Sequence, residues 1–147
     1  MDIKGSYQFD APVKTVWDLL VDTAAIAACL PGCESLEPID DKRYRAALTL
    51  GIGAVTGRYE GTVEMKDLDP PKTYRLKVEG RGKPGFVKGS GSISLAETEG
   101  ITTVTVVGSV QVGGTIARVG QRLLGGVSKM MMDRFFSCLE ARLSSIA

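Results

Sequence analysis

Histidine is absent from all 147 residues of this sequence. That removes the side chain most used as a general base and as a metal ligand, and it excludes Ser-His-Asp and Cys-His nucleophile systems. Aromatic residues are scarce at 6%, and neither charge sign dominates, with 18 Lys plus Arg against 17 Asp plus Glu. No global field therefore draws in nucleic acid or anionic substrates. No run reaches the roughly 18 apolar residues of a membrane-spanning helix; the best stretch, 19–30, is broken by Asp22 and Thr23. The start, Met1-Asp2-Ile3-Lys4-Gly5, lacks the apolar centre of a signal peptide. Cysteines number only three. Cys29 and Cys33 are one residue too far apart for C-x-x-C, and Cys138 stands alone, so no metal set is expected. All three read as reduced thiols of a cytoplasmic protein.

What is present is an ordered change of period along one domain-sized chain, residues 1–147. Ile3, Tyr7 and Phe9 alternate with polar residues as a half-buried strand. Asp10 is placed to cap a helix that begins after Pro12 and carries Val13, Val16, Trp17, Leu19 and Leu20. A second short helix over 23–29 ends at Leu30-Pro31-Gly32. Alternation then dominates from Arg43 to Val112, in strand-like segments separated by turn residues, and short links make these an antiparallel meander. From Thr115 to Ile146 the spacing becomes helical. The expected architecture is α+β: a curved antiparallel sheet of about seven strands gripping a long C-terminal helix of on the order of 45 Å.

Little in this pattern suggests chemistry. Gly51, Gly53 and Gly57 join two strands, and Gly89-Ser90-Gly91-Ser92 precedes no helix, so neither is a nucleotide loop. These glycines read as wide hairpins or as space at a cavity mouth. Arg118, Arg122, Lys129, Arg134 and Arg142 on the last helix, with Arg81, Lys83 and Lys88 near a turn, read as solvated cations or as a docking patch for an acidic partner or anionic membrane. Met130-Met131-Met132 with Phe135 and Phe136 cannot all face one sheet, because successive helical positions turn by about 100°.

Four stretches then point to a family: Asp10-Ala11-Pro12, Val16-Trp17, Leu30-Pro31-Gly32-Cys33-Glu34 and Gly57-Arg58-Tyr59-Glu60-Gly61. Together they resemble the carbon monoxide dehydrogenase G-subunit family of the START-like (SRPBCC), Bet v 1-like helix-grip superfamily. The resemblance spans essentially the whole chain. It implies an apolar cavity between sheet and helix, no catalytic apparatus and no covalently bound cofactor. It also implies a quinone such as menaquinone as ligand, and a molybdenum hydroxylase of the carbon monoxide dehydrogenase type as partner. The location it implies is cytoplasmic, peripheral at the inner face of the cell membrane. Longer members carry a membrane-binding tail beyond the domain; this sequence ends at Ala147.

The expected ligand-lining residues are Leu48, Leu50, Val63, Met65, Leu76 and Val78 from the strands, with Leu123, Val127, Met130 and Met131 from the helix. Two alternatives remain open. A cyclase- or hydrolase-like enzyme of the same superfamily would need Tyr59, Glu60 or Arg81 turned inward. An assembly adaptor would have a filled interior.

Overall fold

The computed structural model describes residues 1–146. The chain runs β1 (Asp2–Phe9), α1 (Val13–Leu20), α2 (Thr23–Cys29), β2 (Cys33–Pro38), β3 (Arg43–Leu50), β4 (Gly57–Asp69), β5 (Thr73–Gly82), β6 (Gly85–Thr98), β7 (Ile101–Gly113) and α3 (Gln121–Ile146). One-turn 3-10 segments occupy Gly53–Val55 and Thr115–Val119. The strands form one seven-stranded antiparallel sheet in the order β1-β7-β6-β5-β4-β3-β2. Consecutive strands from β2 to β7 are neighbours because their links are short, and β1 closes the edge beside β7. The fold is the expected helix grip.

Three local expectations need correction. The last helix begins at Gln121, not Thr115, because Gly120 takes φ 89°, a left-handed conformation that ends the preceding 3-10 turn. The helix is thus 26 residues, about 39 Å long. Asp10 does not cap α1; Pro12 holds that position with no side-chain bond, and the Val13 amide instead donates to Glu97 Oε1 at 2.6 Å. The cysteines are not all reduced: Cys29 of α2 and Cys138 of α3 form a disulfide, with Cα atoms 5.3 Å apart across a separation of 109 residues. Cys33 alone is free, and burial pushes its thiol pKa up.

The interior divides into two unequal halves. Tyr7, Phe9, Trp17, Tyr44, Tyr74, Phe135 and Phe136 all gather in one apolar cluster beneath α1, α2 and the second half of α3. Tyr7 stacks on Phe136 with centroids 4.2 Å apart, and Trp17 meets Tyr74 edge-on at 5.3 Å. The Tyr7 hydroxyl donates to Asp133 Oδ1 at 2.8 Å, tying β1 to α3. The other half centres on Val55, Ile116 and Leu124, with aliphatic side chains packed against them. On the same inner face the strands there carry small residues: Ala46, Gly61, Val63, Val78, Gly80, Val87, Val110 and Val112. The first turns of α3 add Gly125 and Gly126. Side chains of this size do not bridge the distance between helix and sheet, so the grip is filled at one end and hollow at the other.

Candidate functional site

The hollow end encloses about 290 Å³, near the lower bound for small-molecule pockets. From α3 it is walled by Leu124, Val127, Ser128 and Met131, a stripe at i, i+3, i+4 and i+7. The sheet supplies Leu48, Leu50, Tyr59, Val63, Val78, Val87, Val110 and Val112, while Val55 and Ile116 come from the two 3-10 segments. Leu30, at the end of α2, completes the wall. A hydrogen bond from the Ile116 amide to the Pro84 carbonyl, 2.9 Å, holds the second 3-10 segment to the β5–β6 turn and so fixes this end.

The walls are apolar almost throughout. Glu60, Thr62 and Glu79 border the cavity only where the sheet is thinned to backbone by Gly61 and Gly80, which pair across β4 and β5. Strand alternation turns those three side chains to the outer face, where all are exposed. Glu60 there pairs with Arg58, and Glu79 lies 3.9 Å from Lys77. Gly80 is the informative residue: a Cβ built on it would meet nothing within 4 Å. Larger depressions of about 470 Å³ and 490 Å³ lie elsewhere, but exposed Arg75, Lys77 and Lys88 fringe the first and Asp41, Lys42 and Asp67 the second.

Of the ten residues expected to line a pocket, six do: Leu48, Leu50, Val63, Val78, Val127 and Met131. Met65 and Leu76 belong instead to the filled aromatic half, because they are paired one step further along β4 and β5, beyond the gap. Leu123 is 49% exposed and Met130 is not a wall residue. Each is one residue, about 100° of helical turn, away from Leu124 and Met131, which do face inward. The apolar spacing of α3 fits either register, so the sequence left the face ambiguous. Val55 and Ile116 were missed as wall residues because no period marks an isolated 3-10 turn.

Among the described residues no acid–base or nucleophile pair converges on the cavity. Tyr59 points in, but its hydroxyl donates to the Val55 carbonyl at 2.8 Å, and desolvation raises its pKa. Glu60 and Arg81 are exposed. Thr102 is the one buried polar residue among the described residues, and it donates to the Ala11 carbonyl. Among the described residues no group of three Cys, Asp or Glu is arranged to hold a metal, and no helix is long and apolar enough to cross a membrane. The interior is not filled throughout, contrary to the adaptor alternative.

Lys129 pairs with Asp133 at 2.9 Å. Arg118, Arg122 and Lys83 are exposed at the hollow end, on segments 81–87 and 113–126 that contain no Asp or Glu. The exposed Leu123 lies beside them.

Comparison with known proteins agrees with this architecture. The family profile described as the carbon monoxide dehydrogenase G-subunit (CoxG) matches residues 5–144. A conserved protein from Geobacillus kaustophilus has a solved structure that superposes with a TM-score of 0.96 at 38% identity, over 99% of this chain and 96% of that one. A START superfamily protein from Mycobacterium smegmatis gives 0.78 at 12% identity, covering 99% of both chains. The Zhui aromatase/cyclase from Streptomyces sp. R1128 gives 0.72 at 12% identity, over 98% and 93%. At these last identities the likeness concerns the START/Bet v 1-like fold alone. Among curated proteins no sequence matches.

Proposed function

We propose, since the chain belongs to the carbon monoxide dehydrogenase G-subunit (CoxG) family, that it is a non-enzymatic carrier of an apolar, ring-containing ligand of the quinone type, menaquinone for example. It serves a molybdenum hydroxylase of the carbon monoxide dehydrogenase type by handling the electron acceptor, and it works at the surface of the membrane. The observation that carries this reading is the cavity of about 290 Å³ with aliphatic walls and no Lys or Arg side chain inside. Such walls suit a neutral hydrophobic guest. At ~25 cal/mol per Å², burying about 300 Å² of ligand provides roughly 7 kcal/mol before ordering costs, enough for micromolar binding. The cavity accommodates a bicyclic head group; a long polyprenyl tail has to extend outside it.

The membrane part of the reading draws on the hollow end. Arg118, Arg122 and Lys83, on segments that contain no Asp or Glu and with Leu123 exposed on one of them, suit an anionic lipid surface at about 1 kcal/mol per cation.

Native mass spectrometry of protein expressed in cells with and without quinone synthesis tests the carrier reading. A quinone-mass adduct in the first sample and its loss in the second is the expected result. An identical ligand-free mass in both overturns it.

A further inference from the structure

The polar inventory of the cavity narrows to one side chain. Two hydroxyls reach its wall on the inner face, those of Tyr59 and Ser128. The Tyr59 O–H is already committed to the Val55 carbonyl. Ser128 is different. It sits mid-helix on α3, where a serine either points to solvent, as exposed Ser137 does, or donates to the carbonyl four residues earlier, as Ser144 does to Glu140 at 3.2 Å. Among the described residues Ser128 makes no such bond. Its position between Val127 and Met131 on the inward stripe turns the side chain to the cavity, and it is only partly covered. Its hydroxyl is an uncommitted donor on a mainly apolar wall, so a guest that supplies an acceptor is favoured over one that does not.

We infer that Ser128 is the specificity-determining residue of the cavity, donating a hydrogen bond to a carbonyl oxygen on the edge of a neutral, planar ligand. This inference rests on the carrier reading above and refines it. The cavity binds carbonyl-bearing rings in preference to hydrocarbons of the same shape. Tyr59, with its proton engaged, has lone pairs to offer only as an acceptor. It therefore does not substitute for Ser128 toward a carbonyl.

The test is a matched pair of probes, 2,3-dimethyl-1,4-naphthoquinone and 2,3-dimethylnaphthalene, titrated into wild type, Ser128→Ala and Ser128→Thr. Substitution at both ring positions keeps the quinone from adding to the free thiol of Cys33. Wild type is expected to prefer the quinone. Ser128→Ala should weaken the quinone about three- to tenfold, the range of one neutral hydrogen bond, while leaving the hydrocarbon unchanged. Ser128→Thr should retain the preference. An equal effect on both probes, or none on either, overturns the role of Ser128 while leaving the carrier reading intact. Failure of wild type to bind either probe overturns the carrier reading, and the specificity role with it. Alanine is a stronger helix former than serine, so the variant is expected to fold.

Discussion

Gly80 offers a direct perturbation of the hollow. It lies on the inner face of β5 opposite Gly61, and a Cβ there would meet nothing within 4 Å. A leucine at this site projects four carbons into the cavity. At about 30 Å³ each, the share a water molecule takes, they occupy roughly 120 Å³, a substantial part of the 290 Å³ available. Burying the new side chain contributes on the order of 2 kcal/mol, and removing a strand glycine adds about 0.5 kcal/mol, against about 1 kcal/mol of lost rotamer freedom. Gly80→Leu should therefore raise the melting temperature by roughly 3–6 °C in a domain of this size. The same atoms displace ligand. Losing about 100 Å² of buried ligand surface costs on the order of 2.5 kcal/mol, or roughly 60-fold in affinity for 2,3-dimethyl-1,4-naphthoquinone. Differential scanning fluorimetry and equilibrium titration read the two effects. The reasoning requires opposite signs, stability up and affinity down. A fall in melting temperature would mean the space is not there, and unchanged affinity would mean the ligand is bound elsewhere. Gly61→Ala is the control, because its Cβ would collide with the Glu79 carbonyl oxygen; that variant should be destabilised without any gain in packing.

Two further outcomes follow from the filled half. The Cys29–Cys138 bond closes 109 residues of chain, so loop-closure entropy assigns it up to about 4–5 kcal/mol; thiol titration of the denatured, unreduced protein should find one free group, and reductant should lower the melting temperature, whereas three titratable thiols would refute the linkage. Burial, and then the hydrogen bond to Asp133, raises the Tyr7 phenol to about 12, above its ordinary value near 10. A raised folded pKa gives stability that is whole below about pH 10 and is lost as pH rises through about 12. Urea midpoints at about pH 9 and about pH 11 should fall further for wild type than for Tyr7→Phe, and parallel falls would exclude this linkage.

Much of the architecture was legible in the residues because period-two alternation is a local property. Tyr44, Ala46, Leu48 and Leu50, or Tyr74, Leu76 and Val78, declare strands and an inner face without reference to anything distant. The Pro-Gly turns made the order of the meander equally plain. The helix start was less so: Thr115 to Val119 carries helical spacing, and only the left-handed backbone at Gly120 separates it from α3. The candidate site was legible by face but not by depth. Met65 and Val63 share one face of one strand, yet one fills the aromatic half and the other walls the cavity.

The sequence by itself determined the alternating sheet, the closing helix, the family pattern and the absence of imidazole chemistry. Each is written in residue type and spacing along the chain. Tertiary structure alone decided where the hollow lies, that Leu124 and not Leu123 faces it, that Ser128 stands at its wall, and that Cys29 reaches Cys138. Those depend on how far α3 stands from the sheet. The aromatic side chains of Tyr7, Phe9 and Phe136 fill that gap at one end, while the glycines and valines at the other are too short to close it.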